Sequence, residues 1–212
     1  MRENLAATLR LVLVTDDALL AGRDAVALCH AAVRGGVTAV QLRLKRASDR
    51  DLFQLGRRLV AALGVPVFVN DRLDVALAVG AAGVHLGPDD LSPVLARRVA
   101  PADFLIGASV GGDNEVERCM WADYWGIGPL HRSATKPDAG PSLGLEGATS
   151  LLRRADGRPC VLIGGIGPAD VAAARRAGFA GVAVVSGILA SVDVEQAARG
   201  YIHRGTEDLT DA

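Results

Sequence analysis

Residues 66–90 read PVFVNDRLDVALAVGAAGVHLGPDD, and the fold follows from how this stretch divides. Val67, Phe68 and Val69 form a short β-branched and aromatic run behind Pro66, which suits a strand. Leu73 to Val79 carry apolar residues at helical spacing, and Gly80 and Gly83 break that helix before a second apolar run begins at Val84. The order is strand, helix, strand. Parallel strands need such a crossover, it is right-handed in nearly all proteins, and it brings both strands to the same edge of one sheet. Asn70-Asp71 and Asp89-Asp90 follow the two strands, so Asp71 and Asp90 are expected to converge. Two carboxylates at one rim, with Arg72 the only cation between them in sequence, suit a hard ion such as Mg2+. Asp71 alone reads equally well as the cap of the following helix, because Asp is a favoured N-cap. Two such residues in register favour the metal.

The same theme repeats outward from this stretch, apolar strand followed by Ala-rich helical segment. Strands are expected at 11–16, 39–45, 67–71, 84–87, 105–110, 124–129, 161–166 and 182–188. Helical stretches fill the gaps at about 24–34, 49–63, 73–79, 92–99, 113–121, 145–155, 168–177 and 193–203. Eight β/α units predict an α/β fold, a single-domain (β/α)8 TIM barrel over residues 1–212. Its core spans about 11–203, and the tail at about 204–212 is expected to be disordered. A doubly wound open sheet is the competing architecture, but it usually carries fewer strands and a Gly-rich turn after the first, which is absent here. In a barrel the chemistry sits where the strands end, at the C-terminal rim.

Composition narrows the function further. The chain has 212 residues, 50% hydrophobic and 22% charged, with a formal net charge of −1. That balance, with no basic run, argues against an electrostatic grip on nucleic acid or an anionic membrane, so small-molecule partners are expected. Cys29, Cys119 and Cys160 are scattered within apolar stretches without metal-ligand spacing, which predicts buried free thiols and a reducing compartment. No signal core or spanning apolar run interrupts the pattern, and a cytoplasmic location is expected.

The second strand carries the clearest polar signal. Gln41, Arg43 and Lys45 alternate with Val40, Leu42 and Leu44, and a period of two places the polar set on one face. Helices cover the outside of a barrel strand, so this face points into the lumen, where two cations and an amide would take a polyphosphate. A solvated edge strand is the alternative, but a barrel has no edges. The fifth strand ends in Gly107-Ala108-Ser109. The sixth runs into HRSATKPDAGPSLG at 131–144, where Ser133, Thr135 and Lys136 suit a phosphate-catching lid, or else the loop is simply disordered. Gly164, Gly165 and Gly167 follow the seventh strand, with Pro168 placed to open a helix, and Ser186-Gly187 follow the eighth. Glycines at both loops expose backbone N–H groups and suggest a second phosphate subsite, beyond their use in tight turns. His85 stays open between core residue and ligand contact. No other histidine has a partner that suggests nucleophilic catalysis, and no Gly-x-Ser-x-Gly elbow or zinc spacing is present.

These residues resemble the thiamine-phosphate synthase family over Leu11 to about Ala190. QLRLK at 41–45 is similar to the family's Gln-x-Arg-x-Lys, residues 70–90 to its Asn-Asp and His-x-Gly-x-x-Asp segments, and GASV to its Gly-x-Ser; GIGPLHRSATK, IGGI and VVSGI follow in order. The resemblance implies a transferase that joins a pyrimidine methyl diphosphate to thiazole phosphate, giving thiamine phosphate and pyrophosphate. It implies that Gln41, Arg43, Lys45, Asn70, Ser109 and Lys136 hold the pyrimidine diphosphate, with Arg43, Lys45, Ser109 and Lys136 acting in catalysis. It implies Mg2+ on Asp71 and Asp90. Ser133, Thr135 and the backbones of Gly165, Val185 and Ser186 would receive the thiazole phosphate. Four positions depart from the family pattern: Leu44 replaces a usual Glu, Pro88 a Gln, Gly111 a His and Ser133 a Thr. Leu44 faces away from Arg43 and Lys45, toward the helices. A thiazole tautomerase-like isomerase and a non-catalytic regulatory homologue are the alternatives, and a homo-oligomer is compatible with the sequence.

Overall fold

The structure, a computed structural model, describes residues 4–132 and 140–203; the tail expected at 204–212 lies outside them. Helix α1 (Leu5–Thr8) precedes strand β1 (Leu11–Val14). Then α2 (Asp17–Leu20) and α3 (Ala25–Arg34) lead to β2 (Ala39–Leu42), α4 (Asp49–Ala62) to β3 (Val67–Asn70), and α5 (Leu73–Ala78) to β4 (Gly83–Leu86). After α6 (Pro93–Val99) come β5 (Leu105–Val110), α7 (Asp113–Cys119), β6 (Tyr124–Ile127), α8 (Gly144–Arg153) and β7 (Cys160–Ile163). The described chain ends with α9 (Asp170–Arg176), β8 (Gly181–Val184), α10 (Ser186–Leu189) and α11 (Val194–His203). The strands are parallel, each pairs with its sequence neighbours, and β1 pairs with β8 to close a (β/α)8 barrel. No helix among the described residues is long and apolar enough to cross a membrane.

The strands are apolar throughout because each face is covered by a different layer. Leu11, Leu13, Val40, Leu42, Val69, Val84 and Trp125 pack outward with the helices in one large cluster. Val12, Val14, Ala39, Phe68, Leu105, Tyr124, Val161 and Ala183 fill the lumen, and Leu5 and Leu9 join them. The segment around α1 therefore plugs the N-terminal end of the barrel. Above this apolar layer the inward positions turn polar, since the strand period of two places Gln41 after Ala39, Asn70 after Phe68 and Ser109 after Gly107.

Three expectations need correction. The second strand stops at Leu42, not Lys45, because side chains of the first βα loop replace the ladder. Thr15 Oγ1 accepts from the Arg43 N–H at 2.8 Å, and the Asp17 carboxylate accepts from the Lys45 and Arg46 N–H groups at 2.7 and 3.2 Å. Pro168 does not open α9, which begins at Asp170; the Asp170 carboxylate accepts from the Gly167 N–H at 2.8 Å and holds the intervening residues as a turn. The short helices α1, α2 and α10 were not expected.

Candidate active site

The C-terminal end of the barrel encloses a cavity of about 460 Å³. Gln41, Arg43, Asn70, His85 and Ser109 line one side, and Gly164, Gly165, Gly167, Val185, Ser186 and Gly187 the other, together with Ile163, Ile166 and Tyr201. A hollow of about 440 Å³ at Val60–Val67 and Pro101–Phe104 has a single ionisable lining residue, Asp103. It lacks the convergent polar groups that mark a binding site.

Gln41 and Asn70 face each other across adjacent strands, and the Gln41 amide donates to Asn70 Oδ1 at 2.7 Å. Arg43 pairs with Asp16 at 3.3 Å, both half-buried. Asp16 also accepts from the Ala18 and Leu19 N–H groups and so caps α2, which makes it a fixed anchor for the guanidinium. Lys45 extends over the rim instead of into the cavity, and its ammonium donates to Asp71 at 2.5 Å. Thus the expectation that all three polar residues of this segment share the lumen holds for Gln41 and Arg43, whereas Lys45 joins the carboxylates. Leu44 packs against the outer cluster, as its opposite phase requires.

Asp71 does not cap α5, whose N-cap is Arg72, with no side-chain cap bond. Its backbone sits at φ 64°, with its N–H donated to the His85 carbonyl at 2.8 Å, and this turn throws the carboxylate toward Lys45 and Asp90. Burial pushes the Asp90 carboxyl above its ordinary value, and a hydrogen bond with Asp71 adds to the shift. Asp90 Oδ2 also accepts from the Gly87 N–H at 2.6 Å, while Arg118 clamps the same turn through the carbonyls of Gly87 and Asp90 at 3.0 and 2.5 Å. Two carboxylates close enough to share a proton offer hard oxygen donors whose mutual repulsion a divalent cation would relieve. That donor set fits Mg2+ with water and ligand oxygens completing its shell; no group of three His, Cys, Asp or Glu ligands occurs among the described residues. Arg72 does not compete for this position. It pairs with Asp49 and Asp74, and its guanidinium holds Asp74 below the usual carboxylate range.

Gly165 and Gly164 line the far side with φ of 65° and 98°. A Cβ on Gly164 would lie 2.5 Å from Pro129 Cβ, and one on Gly165 2.9 Å from His131 Cβ, so the loop after β7 can lie against the loop after β6 only as glycine. Val185 and Ser186 stand at the end of β8, where α10 begins. Ser133, Thr135 and Lys136, with the rest of 133–139 in the middle of the expected lid, lie outside the described residues.

His85 is the lining residue that the sequence left open: it is buried, with Nδ1 3.1 Å from the Tyr124 hydroxyl and Nε2 3.0 Å from Ser109 Oγ. Its inward phase between Gly83 and Gly87 was the available signal. Thr15, Asp16 and Asp17 were missed, although Thr-Asp-Asp at a strand end was visible. Tyr201 was missed because it comes from α11; its hydroxyl donates to the Ile166 carbonyl at 3.0 Å.

The family model for thiamine monophosphate synthase matches residues 11–188. The chain belongs to this family. Among synthase relatives, the thiamine-phosphate synthase of Azorhizobium caulinodans is 46% identical over 196 residues, 90% of this chain and 92% of that protein. That of Chloroflexus aurantiacus is 45% identical over 195 residues, 90% of this chain and 89% of that protein. The solved structure of a thiamine phosphate pyrophosphorylase from Pyrococcus furiosus superposes with a TM-score of 0.83 at 34% identity, covering 97% of this chain and 100% of that one. A 3-hexulose-6-phosphate synthase superposes with a TM-score of 0.70 at 17% identity, a likeness of barrel fold alone.

Proposed function

We propose that this member of the thiamine monophosphate synthase family is a transferase that makes thiamine phosphate, joining 4-amino-5-hydroxymethyl-2-methylpyrimidine diphosphate to thiazole phosphate and releasing pyrophosphate. The observation that carries the reading is the meeting of Lys45, Asp71 and Asp90 at the rim just past Asn70, which with Arg43 lines a cavity whose opposite side is glycine backbone. One side suits a diphosphate with a metal, and the other suits a monophosphate.

In this reading Arg43, Lys45 and Lys136 take the diphosphate oxygens, and Gln41, Asn70 and Ser109 orient the pyrimidine diphosphate between them. Asp71 and Asp90 hold Mg2+, which when bound draws negative charge onto the departing pyrophosphate. Ser133, Thr135 and the backbones of Gly165, Val185 and Ser186 hold the thiazole phosphate, leaving the ring nitrogen toward the pyrimidine methylene. The methylene–oxygen bond breaks, the pyrimidine ring spreads the positive charge, and the thiazole nitrogen supplies the electron pair of the new bond. Such a reaction needs positioning and electrostatic stabilisation, not a protein nucleophile. An isomerase reading has little support, because Gly111 offers no side chain to move a proton and its N–H is donated to Glu115 at 2.6 Å. Three buried free thiols suit a reducing cytoplasm; burial raises Cys29 and Cys160 to about 12 and Cys119 to about 11.

The test is product formation from both substrates with Mg2+, followed by mass spectrometry. One thiamine phosphate and one pyrophosphate per turnover are expected. Pyrophosphate or phosphate released without thiazole phosphate, and no joined product, would contradict the reading.

A further inference from the structure

Beneath the diphosphate side of the cavity lies a hydrogen-bonded row, Tyr124, His85 and Ser109, of which the reaction as described uses Ser109 alone. Two glycines make room for it. A Cβ on Gly107 would lie 2.2 Å from the Tyr124 ring, so the phenol fits only because Gly107 has no side chain, and one on Gly126 would lie 3.0 Å from His85 Cε1 and crowd the imidazole. At first sight the row is a serine with a histidine base behind it. The third member decides otherwise.

In a nucleophilic triad a carboxylate accepts the Nδ1 proton, which leaves Nε2 bare to take the serine proton. Here Nδ1 faces a phenol. Among the described residues the Tyr124 hydroxyl has one hydrogen-bond partner, His85 Nδ1, and the residue is buried, 3% exposed. If Nδ1 carried the proton and gave it to the phenol oxygen, the phenolic proton would itself be left buried without an acceptor. Burial also keeps the phenol protonated by raising its pKa. The phenol therefore donates to Nδ1. A neutral imidazole then carries its proton on Nε2 and donates it to Ser109 Oγ, 3.0 Å away. With that oxygen already accepting, the serine proton is free to turn outward, and among the described residues Ser109 Oγ has no other hydrogen-bond partner while the residue lines the cavity.

We infer that His85 is a positioning residue which, oriented by Tyr124, makes Ser109 a hydrogen-bond donor to an anionic oxygen bound in the cavity and denies it a role as nucleophile. The inference rests on the reading of this side as a diphosphate site, but its first test does not. A 15N-edited NMR spectrum of the histidine side chains of the full protein above pH 8, with His85→Gln to assign the signal, reads the tautomer directly. A protonated Nε2 and a bare Nδ1 are expected; a protonated Nδ1 overturns the inference, whatever the enzyme makes. The second test is titration of Mg2+ and inorganic pyrophosphate by calorimetry. Tyr124→Phe should weaken binding about tenfold in the wild-type background and not at all in Ser109→Ala, and His85→Gln, which keeps an N–H donor near Ser109, should weaken it less than His85→Phe. Equal weakening by Tyr124→Phe in both backgrounds would mean that the phenol acts through packing, and would overturn the relay. A correct tautomer in a protein that forms no thiamine phosphate would sink the proposed function and leave this assignment standing.

Discussion

Asp71 holds a backbone conformation that side-chain-bearing residues adopt at a cost of about 1–3 kcal/mol, and it does so at the rim where its carboxylate meets Lys45 and Asp90. Strain kept at a site is a mark of function, and so is a destabilised ionisation. Asp90 has a folded-state pKa above its ordinary 3.8, from burial first and then from Asp71. Its neutral form is favoured by folding, so its stabilising contribution is full below pH 3.8 and is lost as the pH rises through the raised value. In metal-free protein, Asp90→Asn should therefore raise the melting temperature at pH 7 relative to wild type, with the difference shrinking toward pH 4. Melts in EDTA across that range check this; an equal difference at both ends would contradict it. The pairing of Asp71 with Asp90 was legible because strand ends in register are a matter of counting. The part of Lys45 was only half legible, since the alternation gave its charge but not its exit from the lumen.

At the scale of elements, the end of β2 shows where periodicity misleads. Alternation continues through Lys45, yet Thr15 and Asp17 take the backbone N–H groups that a neighbouring strand would otherwise bind. The result is a loop held by the β1 end, with Arg43 aimed inward against Asp16 and Lys45 outward to Asp71. Asp17→Ala should loosen this loop, costing about 1–2 kcal/mol of stability and raising KM for the pyrimidine diphosphate more than KM for thiazole phosphate. Denaturant melts and separate substrate titrations measure both; equal rises in the two KM values would mean that the loop does not belong to one subsite. Helices α1, α2 and α10, each of four residues, escaped the sequence because one turn has no periodicity to read.

For the whole molecule, eight repeats of one theme made the barrel legible, because closure is the arrangement that buries eight parallel strands without an edge. The plug at its N-terminal end was not legible: α1 is a single turn, too short for a periodic pattern, and only its packing shows that Leu5 and Leu9 close the lumen. The tyrosines behind the site were not legible either, since Tyr124 reads as any core aromatic and Tyr201 comes from a helix distant in sequence. What the barrel achieves is to bring residues from β1 to β8 to one rim, around a cavity of about 460 Å³ with Gln41, Arg43, Asn70 and Ser109 on one side and the backbone of Gly164, Gly165 and Gly167 on the other.

The most direct measurement of that arrangement is the initial rate of pyrophosphate release against Mg2+ concentration, with both substrates saturating, for the wild type, Asp71→Asn and Asp90→Asn. The wild-type rate should rise from near zero to a plateau, and each variant should fall on the order of 100-fold below it while keeping a folded spectrum. Wild-type rates from both variants, with an unchanged Mg2+ dependence, would contradict a metal held between these two carboxylates.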